Sequence, residues 1–454
     1  SSAAERTLQS TMTHHDLVET PPATPAETEA RPPHWKRNFA ANFVDASFFS
    51  LALAFASMTT IVPLYIRALG GSTLLIGLVP SLVQTGFLLP PLFVAPFIAR
   101  LGRKQPYILI ATLGERVPWV LLAIATWLFG LQYPGALLVF AVISLAIFGL
   151  AGGITAPAWM DLVAHVTPLR MRGKLFGYSG AVGGLLGVFG GLAAERVLAD
   201  YPFPINYSLC FAAASVCMAL SYAGLVAIRE TGRQAPAEVP TIGEYMRRLP
   251  ALLSGDREFS AFLAARILSA FGLMGTGFVS LYAAAERGLP ESLAGQFTAW
   301  MLGAQVVTTP ILGMIGDRRG HKGALQFGLL CAGLAMVLAL FSATPLSFSV
   351  VFALLGVING IMFTTTLNLV VEFAQEENRV TYLGLHGTVV APATMIAPLA
   401  GGWLAERAGF GVLFGAAAVC CAIAWAVLTL AVRDPRYRQT APVASGQSAA
   451  APKA

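Results

Sequence analysis

Residues 134–157 read PGALLVFAVISLAIFGLAGGITAP, a stretch without a charged side chain. As a helix it is long enough to cross the ~30 Å hydrocarbon core of a bilayer. Similar stretches recur along the chain, in which 56% of the residues are hydrophobic and 11% are charged. Because a soluble domain carries about 25% charged residues, this composition excludes a water-soluble fold. It predicts an all-α integral membrane protein in contact with the lipid bilayer.

Polar breaks divide the apolar sequence into twelve predicted transmembrane helices, spans 1 to 12, in two sets of six. Spans 1 to 6 cover residues 38–66, 74–97, 106–129, 134–157, 176–199 and 207–227. Spans 7 to 12 cover residues 259–282, 295–314, 323–343, 346–371, 384–405 and 410–432.

The same breaks define the predicted domains. They are a disordered cytoplasmic tail (1–37), an N-terminal six-helix bundle (38–228), a cytoplasmic linker (229–258), a C-terminal six-helix bundle (259–433) and a cytoplasmic tail (434–454). The first tail has no apolar core, so we expect no cleavable signal peptide.

Lysine and arginine are concentrated in every second connection between the spans. Basic residues are retained on the cytoplasmic side during insertion, which predicts a multi-pass protein of the cell (inner) membrane with both termini in the cytoplasm. The net charge of +6 lies in these short clusters. It therefore predicts membrane topology, and no nucleic-acid partner is expected.

The sequence indicates no cofactor, no metal and no enzymatic activity. A nucleotide-binding GxxxxGK[ST] loop is absent from the sequence, which argues against an ATP-driven pump. The cysteines lie within apolar stretches without metal-ligand spacing, as small buried hydrophobic residues do. They are Cys210, Cys217, Cys331, Cys420 and Cys421.

Short repeats relate the two sets of spans. Residues 190–196 (GGLAAER) end span 5 and residues 401–407 (GGWLAER) end span 11. Leu64 and Tyr65 in span 1 match Leu281 and Tyr282 in span 7. In addition, Arg172 precedes Gly177 at the entry to span 5 as Arg379 precedes Gly384 at the entry to span 11. Three such matches in register indicate two related halves.

The connection between spans 2 and 3 reads APFIARLGRK (95–104), and that between spans 8 and 9 reads GMIGDRRGHK (313–322). These loops resemble the GxxxDRxGR motif of the major facilitator superfamily. The second copy departs at His321, and the first at Ala95 and Ala99. In the family the motif stabilises one side of an alternating-access cycle. The resemblance therefore implies gating roles for Arg100, Gly102, Arg103, Gly313, Asp317, Arg318 and Gly320; the alternative is that the arginines are topology signals only.

The resemblance also implies two pseudo-symmetric halves with a substrate between them near the middle of the membrane. The cavity would then lie among spans 1, 2, 4, 5, 7, 8, 10 and 11. We expect the protein to act as a monomer, with a small-molecule substrate and protons as its partners.

Four charged residues inside spans are candidates for proton coupling. Asn38, Asn42 and Asp45 share one face of span 1, which we expect to point into the cavity. Arg266 lies at a comparable depth in span 7, and we expect it to meet Asp45 across the halves. The alternative for Asp45 is a structural ion pair. Glu115 and Arg116 in span 3 serve either ion pairing or proton handling.

Uncharged polar residues inside apolar helices are candidates for substrate binding. Each is alternatively an interhelical hydrogen-bonding residue. The candidates are Asn42, Gln84, Gln305, Asn359 and Asn368. His386 lies near the predicted inner end of span 11, where its sequence begins and where an interfacial role is the stronger interpretation. The sequence APLAGG (397–402) resembles the GPxxGG element of the superfamily's antiporters and weakly supports efflux.

The leading hypothesis is a proton-coupled secondary active transporter of a small organic compound. Export of an amphipathic or weakly polar substrate is slightly favoured, because the expected cavity is poor in charge. The alternatives are an importer of a neutral nutrient such as a sugar and, because Ala99 replaces the acid of the first loop, a transporter-like sensor or assembly factor.

Overall fold

The computed structural model describes residues 32–232, 256–374 and 379–435. Within them, every regular element is a helix. Most of the predicted tails and of the predicted linker lies outside the described residues. The predicted all-α class is confirmed for the described part of the chain.

The first half contains nine helices among the described residues, several of which follow one another in one span. They are α1 (Trp35–Phe55), α2 (Ile61–Ala68), α3 (Thr73–Leu88), α4 (Pro90–Ala99), α5 (Gln105–Ala111), α6 (Leu113–Phe129), α7 (Pro134–Val166), α8 (Leu169–Asp200) and α9 (Ile205–Ala227).

The second half follows the same order. Its helices are α10 (Arg257–Gly272), α11 (Val279–Ala285), α12 (Leu293–Arg319), α13 (His321–Phe341), α14 (Pro345–Phe373) and α15 (Arg379–Leu430), with a short 3-10 turn at Thr276–Phe278 before α11.

In the described part of the chain, ten helical segments are long and apolar enough to cross a membrane. Two features bear on the predicted count of twelve. The shorter apolar helix α3 continues almost directly into α4, as one span interrupted near Pro90 would. Helix α15 contains a non-helical residue, Gly409, with φ 84°, so it consists of two helices that meet at a bend. Both features support twelve spans, which remains a prediction.

An aromatic cluster in each half shows the internal repeat in three dimensions. The Tyr65 ring packs on Phe211 with 4.9 Å between ring centroids. The matching Tyr282 packs on Phe414 at 5.3 Å. All four rings are at least nine-tenths buried, and such tilted or edge-on pairs stabilise a core beyond their area. The Leu-Tyr match of the sequence therefore marks equivalent positions in two similar bundles.

Two pairs of helices form the most extensive contacts between the halves. Helix α8 packs along α12, and α3 packs along α15. The loops 100–104 and 317–322 lie at one end of these helices, which we call the basic end. The other end, called the opposite end, carries the GGxxAER repeats. These two ends differ in how the halves meet.

Candidate functional site

Side-chain and backbone hydrogen bonds join the halves toward the opposite end. The hydroxyl oxygens of Thr60 and Thr298 lie 2.5 Å apart, and both residues are buried. The Tyr207 hydroxyl donates to the Glu291 carboxylate at 2.9 Å. Other contacts of the same kind are Ser280 Oγ to the Thr59 carbonyl at 3.3 Å and the Leu74 amide to the Glu406 carboxylate at 3.0 Å.

Glycines bring the backbones of the two halves together at the same end. A Cβ built on Gly191 of α8 would lie 2.7 Å from the Gly295 carbonyl oxygen of α12. A Cβ on Gly77 of α3 would overlap the Pro398 carbonyl oxygen and approach Gly402 of α15. Only residues without a Cβ permit this approach of helices. The glycines of the GGxxAER repeats therefore close the opposite end through one contact on each side.

The halves stand apart nearer the basic end. A Cβ added there on α8 or α12 would meet no atom within 4 Å, in contrast to the glycines further along the same helices. The positions are Gly173, Gly177, Gly180 and Gly313. The space between the halves is therefore closed at the opposite end and open toward the basic end.

A central cavity of about 270 Å³ lies between α3, α10, α14, α15 and the segment that joins α1 to α2. Met58, Met274 and Phe278 contribute much of its apolar wall, and Gln84 and Asn359 contribute amide groups. A second cavity of about 460 Å³ lies between α1, α8 and α12, and Gln305 lines it. The structure thus brings Gln84 and Asn359 together at the predicted interface, with Gln305 beside them in the second cavity.

The other two candidate substrate residues lie elsewhere. Asn42 is buried, and its side-chain amide donates to the Asn38 carbonyl at 2.9 Å. Asn368 is exposed and is not among the residues that line these two cavities. The sequence could not distinguish polar residues that line a cavity from those that are buried elsewhere or exposed. A polar residue in an apolar helix stands out in the sequence in the same way on whichever face it lies.

Asp45 lies in a buried network inside the N-terminal half. One carboxylate oxygen accepts a hydrogen bond from Ser221 Oγ at 2.6 Å and lies 3.4 Å from an Arg116 guanidinium nitrogen. The other accepts from the Trp159 indole nitrogen at 3.0 Å. Arg116 also donates to Ser221 at 2.9 Å. Charge-assisted hydrogen bonds of this kind are among the strong ones in proteins, so partners from three other helices hold this carboxylate.

The predicted contact between Asp45 and Arg266 is wrong for this structure. The Asn38–Asp45 face of α1 packs against α9 rather than pointing into the cavity: a Cβ on Gly224 of α9 would lie 2.9 Å from the Asp45 amide nitrogen. Asn38 likewise exchanges two hydrogen bonds with the backbone of Arg229, beyond the end of α9. Lipid would penalise this polar face, but burial inside the bundle satisfies it as well as a cavity would.

Glu115 and Arg116 extend the network. Their side chains approach within 3.7 Å although they are neighbours in sequence. Arg116 also hydrogen-bonds the Thr112 side chain and lies 5.8 Å from the Phe49 ring centroid. The buried cation therefore faces two buried carboxylates, Asp45 and Glu115. Sequence reasoning missed Ser221 and Trp159, because a serine and a tryptophan in a membrane helix give no signal of such a role.

Arg266 has different surroundings in the C-terminal half. It is buried, and one guanidinium nitrogen contacts Ser269 Oγ and Met362 Sδ, each at 2.9 Å. Its Nε atom is buried without a hydrogen-bond partner. Among the described residues, no carboxylate pairs with it. A buried cation in this state is unfavourable unless something else compensates its charge.

The first basic loop is anchored within its own half. The buried Lys104 side chain forms an ion pair of 2.6 Å with Asp161, at the end of α7. The Glu230 carboxylate accepts from the amides of Lys104 and Gln105 at 2.8 Å each, at the start of α5, where a helix favours negative charge. Arg100, Gly102 and Arg103 are exposed. No pattern in the sequence singled out Asp161 or Glu230.

The second basic loop has similar anchors. Asp317 lies 3.5 Å from the His321 ring, which also lies 3.9 Å from Glu372 of α14. Lys322 donates to the Val432 carbonyl at 2.7 Å. Gly320 has φ 96°, so the turn that joins α12 to α13 requires glycine. Arg318 is exposed, and Gly313 lies in α12 beside open space. The gating role of both loops remains a prediction.

Comparison with known proteins agrees with this architecture. Residues 262–453 match the sequence model of the Major Facilitator Superfamily. The structure resembles the nucleoside transporter NupG with a TM-score of 0.65 at 12% identity, over 88% of this chain and 100% of that one. It resembles a D-xylose-proton symporter with a TM-score of 0.64 at 15% identity, over 88% and 98% of the two chains. At such identities these likenesses concern the fold.

Curated relatives match shorter stretches. The tetracycline resistance protein, class H, of Pasteurella multocida is 32% identical over 102 residues, which are 22% of this chain and 25% of that protein. An uncharacterized MFS-type transporter of Mycobacterium tuberculosis is 30% identical over 122 residues, 27% of this chain and 18% of that protein. The chain therefore matches a quarter or less of the length of these relatives.

The helices and the matched sequence model together define the class: this chain is a multi-pass helical membrane protein, and its residues 262–453 are similar to the Major Facilitator Superfamily.

Proposed function

We propose that this protein is a secondary active transporter of a small organic compound, that it works by alternating access, and that it is coupled to protons. The observation that carries the proposal is the cavity between the halves, which is closed at the opposite end and open toward the basic end. A transporter of this kind needs a site that faces one side of the membrane at a time. Gln84, Gln305 and Asn359 are the proposed polar contacts of the substrate.

The proposed orientation places the basic end in the cytoplasm, as the positive-inside rule expects. The described conformation is then open to the cytoplasm. Cysteines introduced at the exposed Gln132 and at Ser292 would react with an impermeant reagent added outside intact cells, whereas one at the exposed Arg103 would not. Labelling in the reverse pattern would contradict the orientation.

Asp45 is the proposed proton carrier. Its arginine partner in this proposal is Arg116, and not Arg266 as the sequence predicted. Trp159 provides a physical link to the cavity. Its indole donates to Asp45, and its ring lies 6.0 Å, edge to face, from the ring of Phe176, which lines the second cavity. A shift of α8 against α7 would therefore change the hydrogen bonds of Asp45. A carboxylate whose partners change in this way changes its proton affinity during the cycle.

Export of an amphipathic compound is the proposed direction and substrate type. The central cavity is largely apolar, and one stretch of the chain is similar to part of a tetracycline resistance protein. Import of a neutral nutrient such as a sugar is the second candidate, since the amides of Gln84 and Asn359 suit hydroxyl groups. A sensor or assembly factor would have the same fold but no flux.

The test is flux in proteoliposomes that contain the full chain under an imposed pH gradient. Labelled tetracycline, D-xylose and a set of small aromatic acids with their neutral amides would serve as probes. Gradient-driven movement of at least one class, abolished when the gradient is collapsed, is the expected result. Movement without any dependence on the gradient would contradict proton coupling. The lack of movement of every class would contradict transport and favour the sensor.

A further inference from the structure

The starting point is the buried arginine of the C-terminal half. The guanidinium of Arg266 contacts a serine hydroxyl and a thioether, neither of which carries a charge. Its Nε atom is buried and has no hydrogen-bond partner. Because a buried cation strongly favours a paired anion, the site is incomplete as the described residues leave it.

Two further polar atoms nearby are buried and without hydrogen-bond partners in the described part of the chain: His386 Nε2 on α15 and Thr366 Oγ1 on α14. The His386 ring stacks on Phe262, one helical turn before Arg266, at 5.9 Å. Thr366 lies one helical turn after Met362, the residue that Arg266 contacts. We call Arg266, Thr366 and His386 the Arg266 cluster.

The Arg266 cluster lies next to the central cavity, on the side nearer the basic end. Ala270 in α10 and Leu273, just beyond its end, line the cavity and follow Arg266 at helical spacing. Asn359, which also lines it, precedes Met362 by one turn of α14. The hydrogen bond of the guanidinium to Ser269 directs it along α10 toward the cavity. The apolar wall of the cavity and the charged guanidinium of Arg266 are therefore adjacent.

We infer that the Arg266 cluster binds the anionic group of an amphipathic substrate, a carboxylate in the simplest case, while its apolar body occupies the central cavity. This inference rests on the proposed transport function and names the substrate class. A carboxylate offers two oxygens to a guanidinium in a fixed bidentate geometry. The buried Arg266 Nε, which has no partner among the described residues, is the proposed donor to it, and His386 and Thr366 are the further polar groups of the site. The cluster takes an organic monoanion, because the described residues around it supply one full positive charge.

A carboxylate of the protein itself is the competing explanation. Asp45 does not provide it in this structure, since Arg116, Ser221 and Trp159 already occupy both of its oxygens. If a carboxylate of the chain pairs with Arg266 in another conformation, added anions would gain nothing from Arg266. The comparison of an acid with its neutral amide separates the two explanations.

The experiment measures binding of 2-naphthoate and 2-naphthamide to the full-length protein in nanodiscs by isothermal titration calorimetry. The two probes share shape and differ in charge. We expect naphthoate to bind roughly tenfold more tightly or better, because hydrogen bonds to a charged group are the stronger ones. Arg266→Gln should abolish this preference, and Arg266→Lys should keep part of it, since lysine retains the charge without the planar fork. Arg407→Gln, which removes an exposed arginine of the same half, should leave it unchanged.

Three results would overturn the inference: equal affinity for both probes, a preference that survives Arg266→Gln in folded protein, or no binding of either probe. The Arg266→Lys variant guards against a folding defect, which would appear as a lowered unfolding temperature in both variants. The flux assay keeps the two proposals apart. If neutral compounds are transported while acids neither bind nor move, the transport proposal stands and the proposal of an anionic substrate is wrong. Naphthoate binding without flux of any compound would remove transport alone.

Discussion

In the part of the chain that the structure describes, each half contains one deeply buried arginine, and the surroundings of the two arginines differ. The match of Tyr65 with Tyr282 places Phe49 at the position of Arg266, and Phe262 at that of Asp45. In the first half Arg116 comes from α6, reaches within 5.8 Å of the Phe49 ring and faces Asp45 and Glu115. In the second half, Arg266 comes from α10 itself and meets a serine and a methionine.

The difference shows that the repeat conserves packing and not charge. Small residues and aromatic pairs recur at matching positions, because both halves must solve the same problem of close helix contact. The charge of the first half is compensated within the protein, as a structural or proton-carrying network requires. The charge of the second half has no carboxylate partner among the described residues. We therefore propose coupling for the first half and binding for the second.

The largest expected effect concerns Asp45. Asp45→Asn should abolish accumulation driven by a pH gradient while leaving exchange at equal concentrations largely intact, because the amide keeps the shape and loses the titration. Proteoliposomes with and without an imposed gradient measure both. Glu115→Gln is the matched control within the same network. If Asp45→Asn accumulates substrate normally and Glu115→Gln does not, Glu115 is the proton carrier.

The next effect compares the two arginines. Arg116→Gln should destabilise the protein by about 3 kcal/mol, because it leaves buried carboxylates without a cation. Arg266→Gln should be neutral or stabilising, since it removes a buried charge that lacks a partner. Thermal unfolding in one detergent measures both. Adding Asp45→Asn to Arg116→Gln should recover part of the loss. Equal losses from the two single substitutions would contradict the contrast drawn between the halves.

A smaller effect tests the glycine contacts that the halves share. Gly77→Ala and Gly191→Ala should each favour separation at the opposite end by about 2 kcal/mol, because the added Cβ meets backbone that cannot move alone. Distance distributions between spin labels at Gln132 and Arg407 measure the shift. Gly303→Ala, whose Cβ would lie 3.6 Å from the Val188 side chain, is the control. An effect from only one of the two contacts would show that the repeat is unequal there.

The smallest effect compares the two basic loops. Gly320→Ala should cost about 1 kcal/mol, because an L-residue is strained at φ 96° and its Cβ would overlap the Asp434 carboxylate. Gly102→Ala should cost less than about 0.5 kcal/mol, since Gly102 is exposed and is not among the described glycines with positive φ. Thermal unfolding of both variants measures the difference. Similar losses would mean that both turns need glycine for another reason.

The sequence by itself determined the membrane class, the helical elements and the relation between the halves. The apolar stretches and the GGxxAER repeats carry this information locally, since a helix must be apolar to cross a bilayer and small where it packs closely. Gln84 and Asn359 also lie at the predicted interface, where α3 and α14 meet the cavity.

Only the tertiary structure decided which partner each buried charge has. Helical periodicity placed Asn38, Asn42 and Asp45 on one face but gave no direction to that face. Packing of α1 against α9 turned it into the N-terminal half, where Arg116 and Trp159 reach it from two other helices. Helix packing also placed Arg266 beside the cavity. Periodicity fixes neighbours within a helix, whereas ion pairs join residues far apart in sequence, and their positions are set only when the helices pack.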